Sequence, residues 1–198
     1  MTVTRSRTRQ DVVAAAGRLF ASRGYHGTSM RDLAREVGLL GSSLYSHIDS
    51  KADLLVEVVE QGGALFQASA DRVQNEGGSG AEQLAALVQG HVDVVLDHID
   101  EARTFLYEAD ALDETHRQRV LAARDKYEKV FRQVLLDGSK DGSFRLDLDP
   151  AVGAIMILSI LNAVERWYRP GGRLDRLQLA REILRFCTTG LGANEPNV

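Results

Sequence analysis

The best candidates for a functional role lie between positions 40 and 51, and the interaction that their side chains favour is hydrogen bonding. Leu40, Leu44 and Ile48 are four residues apart, so they can face inward from one side of a helix. The outward positions are small or carry short polar groups, as a helix requires if its first turn is to approach base edges and phosphates in a DNA major groove. These outward residues are Gly41, Ser42, Ser43, Tyr45, Ser46 and His47.

A second short helix, just before this segment, is predicted to position it. Its apolar residues share one helical face and can pack inward, and Gly38 is placed to end it. A brief turn then leads into the helix of residues 40–48, so residues 28–51 form a predicted helix-turn-helix. The inward residues of the earlier helix are Met30, Leu33, Ala34 and Val37.

Capping signals flank the predicted helix-turn-helix. The first helix of the chain is predicted over about residues 9–22. Ser29 and Asp32 have the spacing of a capping box for the second helix, and Ser50 and Asp53 have it for the fourth.

The fourth helix is predicted from Lys51 to about Gln74. Lys51 would lie in its first turn, beside free backbone N–H groups, which is a site suited to phosphate. Gly62 and Gly63 are predicted to interrupt this helix, since each glycine costs about 1 kcal/mol relative to alanine. Such an interruption is either a surface irregularity or a flexible point.

The rest of the chain has helical periodicity and no strand pattern, so the fold class is all-α. Asp149 followed by Pro150 is a strong helix start, and the helix to about Tyr168 is apolar nearly all round. A final amphipathic helix follows at about residues 174–190. This pair of helices can bury its surplus apolar surface against the same pair of a second chain, which predicts a homodimer joined by a four-helix bundle.

Charge divides the chain at the end of the helix-turn-helix. Residues 1–51 hold eight basic and four acidic residues, a net charge of +4, and residues 52–198 hold sixteen and twenty-four, a net charge of −8. A basic segment attracts nucleic acid through phosphate contacts. We therefore predict a three-helix DNA-binding domain at 1–51 and a helical ligand-binding and dimerisation domain at 52–198.

Composition is that of an ordinary soluble protein, with 44% hydrophobic and 26% charged residues. The longest apolar run, Ala151 to Val164, is shorter than the ~20 residues of a membrane span, and the N-terminus has no signal-peptide pattern. The single cysteine, Cys187, lies on an apolar stripe and is expected to be inert. These features predict a cytoplasmic protein with no membrane partner.

Candidates for catalysis or metal binding are weak. Ser42 and Ser43 closely precede His47, but no G-x-S-x-G motif or strand–turn–helix context supports a nucleophile. His91 and His98 are seven residues apart, without further ligands at metal-like spacing. We therefore predict that the protein is not an enzyme and has no catalytic residue, metal or cofactor.

The N-terminal quarter resembles the DNA-binding domain of the TetR family of bacterial repressors. The resemblance runs from about Val12 to Leu55 and is carried by RLFASRGYHGTSMRDLAREVG followed by SSLYSHIDSKADLL. One departure is at the recognition-helix start, where the family usually has a polar N-cap and then Lys, Arg or Pro before a glycine. The resemblance implies a homodimer that binds a double-stranded operator through Thr28, Ser29, Leu40, Gly41, Ser42, Ser43, Tyr45, Ser46, His47 and Lys51.

The carboxyl-terminal portion resembles, over some thirty residues, the acyl-CoA-responsive branch of that family. The resemblance lies in DGSFRLDLDP and ILNAVERWYRPGG. Arginine suits phosphate or carboxylate, and an aromatic side chain offers an apolar platform. The resemblance implies an acyl-CoA effector and nominates Asn162, Arg166, Trp167 and Tyr168 as ligand-binding residues. Aromatic residues of the central helices complete the candidate set: Phe105, Tyr107, Tyr127 and Phe131.

Two alternatives to an acyl-CoA-released repressor stay open at this stage. The effector can be a lipophilic drug or secondary metabolite rather than a CoA thioester. Separately, the aromatic end of the helix that runs to about Tyr168 can be only packing beside the dimer interface. The chain can also be a helical binding module whose helix-turn-helix serves as a scaffold and has no DNA activity.

Overall fold

The computed structural model of the protein describes residues 8–46, 48–144 and 149–192. Within these ranges the chain forms helices and no strand, so the all-α prediction is confirmed. A short 3-10 helix lies at Glu108–Ala111. The α-helices are α1 Arg9–Arg23, α2 Met30–Val37, α3 Gly41–Leu44, α4 Lys51–Glu76, α5 Gly80–Asp97, α6 Ile99–Tyr107, α7 Glu114–Lys140, α8 Pro150–Trp167 and α9 Arg176–Gly192.

The chain divides into two compact units. The first consists of Met1–Ala64 and His98–Leu121, and the second of Leu65–Asp97 and Ala122–Val198. The first unit contains more of the chain than the predicted DNA-binding domain 1–51, because α6 packs against α1. The functional boundary at residue 51 stays a prediction.

The predicted helix starts are confirmed. The Ser29 side chain accepts from the Asp32 N–H while the Asp32 side chain accepts from the Ser29 N–H. The Ser50 hydroxyl accepts from the Asp53 N–H at 3.0 Å. Asp149 caps α8 through the N–H groups that follow Pro150. These caps satisfy donors that the first turn of a helix cannot pair internally, so local sequence alone defines where these helices begin.

The predicted interruption of α4 at its two glycines is wrong, because the helix continues through both. The glycines instead allow close contact with α6. A Cβ atom added at Gly62 would lie 2.5 Å from the carbonyl oxygen of Glu101 and 2.9 Å from the Cβ of Phe105. At Gly63 it would lie 2.9 Å from the Phe105 ring. The absence of side chains therefore lets two helices of the first unit approach more closely than other residues permit.

The second unit is built around α5, which packs against both α8 and α9. At its carboxyl end, the Arg176 guanidinium of α9 binds the Asp97 carboxylate at 2.6 Å and that of Asp93 at 3.3 Å. This charge-assisted contact ties the start of α9 to the end of α5.

One side of α8 is exposed and apolar. Val152, Ile155 and Met156 lie at i, i+3 and i+4 and face outward. The helix has 18 residues and a mean hydropathy of 1.2, long and apolar enough by these criteria to cross a membrane, although a core helix of a soluble protein meets them too. Leu161, by contrast, is fully buried within the protomer.

The contact at Gly62 generates the first prediction. We expect Gly62→Ala to lower the free energy of unfolding by about 1–3 kcal/mol, since the added methyl group meets backbone rather than a movable side chain. Gly17→Ala in α1 is the matched control, because its Cβ would meet a Val58 methyl at an ordinary 3.5 Å. That control should be neutral or stabilising by up to ~1 kcal/mol. Urea denaturation measures both, and equal effects would contradict the close-approach explanation.

Candidate nucleic-acid interface and interior aromatic cluster

The turn between α2 and α3 is formed as the sequence predicts. Gly38 adopts the left-handed conformation, with φ 73° and ψ 36°, and its N–H donates back to α2. The Leu39 N–H donates to the Ala34 carbonyl at 2.8 Å. The apolar residues beneath the two helices are buried, so the turn is fixed to the core of the first unit. These buried residues are Leu33, Ala34, Val37, Leu44 and Ile48.

The recognition helix is shorter than predicted. α3 has only four residues and ends before Tyr45. The expectation that Leu40 faces inward with Leu44 and Ile48 is wrong, since Leu40 is 76% exposed. Leu40 is the N-cap, with an extended backbone at φ −71° and ψ 148°, so its side chain does not follow the helical periodicity.

The surface of α3 and the residues after it is exposed as expected. Gly41, Ser42 and Ser46 are exposed, and Tyr45 is 58% exposed. Ser43 is half-buried, and its carbonyl accepts from the Ser46 hydroxyl at 2.7 Å. His47 lies outside the described residues.

Two other residues nominated for DNA contact have structural partners in this region. Thr28 is 1% exposed, and its hydroxyl lies within hydrogen-bonding distance of the Leu19 and Gly24 carbonyls, at 3.2 and 3.0 Å. Ser29 is the α2 N-cap. Both residues therefore shape the turn between α1 and α2, and their contact with DNA stays a prediction.

Lys51 is held near the same turn. Its ammonium nitrogen lies 4.0 Å from the centroid of the Tyr25 ring, a cation–π arrangement. Partial burial lowers the pKa of Lys51 from its ordinary value. The Tyr25 backbone N–H donates to the Glu108 carboxylate at 3.0 Å, so the chain beneath Lys51 is anchored to the 3-10 helix after α6.

Four side chains form an aromatic cluster inside the second unit. Tyr127 and Phe131, both nominated for ligand binding, are in edge-on contact at 5.3 Å between ring centroids. Phe66 and His91 join them, with their ring centroids 4.8 Å apart. Neither Phe66 nor His91 was nominated for ligand binding from the sequence, since nothing in one helix reveals what packs on it from another.

The polar atoms of this cluster leave one hydrogen-bonding position open. His91 Nδ1 lies 3.2 Å from the Tyr127 hydroxyl. Burial lowers the pKa of His91 to about 3 and raises the pKa of Tyr127, so both side chains are neutral near pH 7. His91 Nε2 is buried and has no partner among the described residues. Because a phenol is the better donor and imidazole the better acceptor, we assign the Tyr127 hydroxyl as the donor and His91 Nδ1 as the acceptor. The ring proton of the neutral imidazole then lies on Nε2.

The other nominated residues are distributed over both units. Asn162 and Tyr168 are half-buried near the end of α8, and Trp167 is exposed. The Arg166 guanidinium is exposed and lies 3.4 Å from the Glu165 carboxylate. Phe105 and Tyr107 belong to α6 in the first unit, the former buried and the latter exposed. Their roles in ligand binding stay predictions.

Metal-ligand groups and the single cysteine were the remaining candidates for reactive chemistry. No group of three or more metal-ligating side chains occurs there. Cys187 is buried, and burial raises the pKa of its thiol, which disfavours the reactive thiolate.

Known proteins resemble the chain over nearly its whole length. The HTH-type transcriptional repressor KstR2 of Mycolicibacterium smegmatis is 28% identical over 184 residues, covering 92% of this chain and 90% of that protein. The crystal structure of PfmR, a TetR family regulator from Thermus thermophilus, has a TM-score of 0.83 at 29% identity, covering 92% of this chain and 99% of the other. That of AibR in complex with isovaleryl coenzyme A and operator DNA has a TM-score of 0.84 at 28% identity, covering 91% and 97%.

Two family models divide the chain between them. Residues 12–58 match the model of bacterial regulatory proteins of the tetR family, and residues 77–191 match the tetracyclin repressor-like C-terminal domain. The second match alone spans more than half of the chain, and together they include the helix-turn-helix and most of the aromatic cluster. The protein therefore belongs to the TetR family of bacterial regulatory proteins, and it is a DNA-binding transcriptional regulator and not an enzyme.

Proposed function

We propose that this transcriptional repressor is a homodimer that a CoA thioester releases from its operator. The observation that carries the effector class is the likeness to AibR, whose structure holds both isovaleryl coenzyme A and operator DNA. A cytoplasmic location follows from the proposal, because both operator DNA and CoA thioesters are met there.

The chemistry of the second unit supports an effector with an apolar acyl group. The buried cluster offers aromatic surface and one neutral N–H at His91 Nε2. A thioester carbonyl can accept from that N–H without bringing a charge into the interior. A free carboxylate would have to be desolvated there, which is costly without a paired charge.

The charged part of such an effector requires a different environment. The Arg166 guanidinium and the Trp167 ring are exposed near the end of α8, where a phosphate and a purine base can meet them without losing all contact with water. These two side chains are therefore proposed to bind the nucleotide end of the thioester.

The exposed apolar residues of α8 support the dimer. Ile155 is 52% exposed on α8, and Phe186 of α9 is 69% exposed. Two-fold pairing of α8 and α9 with the same helices of a second chain would cover such residues. Dimerisation also suits the DNA-binding end, because one helix-turn-helix reads only a half-site.

The first prediction from this proposal concerns phosphate contacts. Lys51→Ala should weaken binding to all duplexes and reduce the slope of log affinity against log salt by about one unit, since one phosphate contact is lost. Lys129→Ala, an exposed change on α7, is the control and should leave the slope unchanged. Fluorescence anisotropy over a salt series measures both variants. Identical slopes for wild type and Lys51→Ala would exclude this phosphate contact.

The next prediction concerns the dimer. Ile155→Asp and Phe186→Asp should each produce monomers, because a carboxylate in a buried apolar interface is left unpaired. Leu121→Asp on α7, also a change of an exposed apolar residue, should remain dimeric. Leu161 is unsuitable for this test because its burial is within the protomer. Sedimentation velocity reports the mass, and dimeric Ile155→Asp and Phe186→Asp variants would place the interface elsewhere.

The third prediction concerns the effector. Isovaleryl-CoA or a longer acyl-CoA should release a preformed protein–operator complex, while the matching free acid should be much weaker because it lacks the nucleotide phosphates. Arg166→Met should raise the thioester concentration needed for release several-fold without changing operator affinity. Arg185→Met, an exposed change on α9, serves as the control.

A panel of lipophilic drugs and secondary metabolites completes that titration. Release by such compounds but by no thioester would overturn the acyl-CoA proposal and favour the drug-responsive alternative. A protein that binds no duplex in any salt concentration would instead favour the helical binding module.

A further inference from the structure

The start of the recognition helix carries a residue that the fold itself does not explain. Leu40 is the N-cap of α3, makes no side-chain capping hydrogen bond, and is 76% exposed. An N-cap position favours serine, threonine, aspartate or asparagine, because their side chains accept from the free N–H groups of the first turn. Leucine contributes no cap here and leaves most of its apolar surface in water.

Packing within the protein does not explain the next residue, Gly41, either. A Cβ atom at Gly41 would have nothing within 4 Å, and Gly41 is absent from the positions with positive φ. Neither space nor backbone conformation therefore requires glycine. Glycine does, however, allow the backbone to approach another surface closely.

Both features suit the floor of a DNA major groove. In helix-turn-helix proteins the N-terminal residues of the second helix contact base edges. Between positions 40 and 46, Leu40 and Tyr45 are the exposed side chains larger than serine. With no side chain on Gly41, Leu40 can reach a base without a neighbour holding the backbone away.

We propose that Leu40 reads the 5-methyl group of a thymine in each operator half-site. Thymine alone among the four DNA bases presents a methyl group in the major groove, and an apolar side chain pairs with it. Against adenine, guanine or cytosine, Leu40 would cover a donor or acceptor that it cannot satisfy, which is unfavourable. The residue thus selects for thymine and against the other bases. The inference rests on the DNA-binding function and names what one residue of that interface recognises.

The test uses the full-length protein and replaces thymine by deoxyuridine. Duplexes are first selected from a random library, and each thymine of the resulting half-site is then replaced singly by deoxyuridine, which removes only the methyl group. We expect one position per half-site at which wild-type affinity falls about fourfold, the value for one buried methyl-sized group. With Leu40→Ala, replacement at that position should change affinity little. Leu121→Ala, the same change at an exposed leucine on α7, is the matched control and should retain the wild-type loss.

The other outcomes of the deoxyuridine experiment contradict the proposal in distinguishable ways. Half-sites without an invariant thymine, or a deoxyuridine effect of equal size in wild type and Leu40→Ala, would overturn the proposal while leaving DNA binding intact. Failure to select any duplex would overturn DNA binding as well. Because Leu40 is largely exposed, Leu40→Ala is expected to fold, and matching thermal unfolding curves verify it. Leu40→Met, which keeps an apolar side chain, should preserve the preference for thymine.

Discussion

The first unit depends on the close approach of α4 and α6 at Gly62. A single methyl group there would meet the Glu101 carbonyl at 2.5 Å, so the two backbones can pack in this way only around glycine. α6 also packs against α1, and Glu108 after α6 accepts from the Tyr25 N–H near Lys51. The helix-turn-helix is therefore held by residues 98–121, which lie far from it in sequence.

This arrangement gives a physical basis for regulation by a ligand. α4 and α7 each begin in the first unit and continue into the second, which contains the aromatic cluster. Coupling between sites requires a ligand to bind two conformations with different affinity. The His91–Tyr127 pair is neutral and hydrogen-bonded, and His91 Nε2 has no partner among the described residues. An effector bound there, as proposed, would satisfy this buried group with an acceptor and so favour one conformation.

Local sequence signals predicted much of this structure. The capping box at Ser29, the Ser50 cap of α4, the glycine end of α2 and the Asp149–Pro150 start of α8 depend only on residues within one turn, and all are present. The outward positions of α3 were predicted by periodicity. Leu40 was not, because an N-cap lies outside the helical repeat.

Contacts between helices could not be predicted from the sequence. Glycine in the middle of α4 suggests weakness when only its helix propensity is considered, yet its role is set by α6, some forty residues later. The same reason hid Phe66 and His91, since each looks like any other inward residue on its own helix. Tyr127 and Phe131 were nominated as aromatic residues of the central helices, but the sequence did not indicate the two side chains that complete their cluster.

Under the proposed function, the effector and the operator bind different conformations of the protein, so each must weaken the binding of the other by the same factor. Calorimetry should measure the affinity of isovaleryl-CoA for the free protein and for the protein saturated with operator. We expect weaker binding to the operator complex, by the same factor by which saturating thioester weakens operator binding. Equal affinity for the free and operator-bound protein would contradict it.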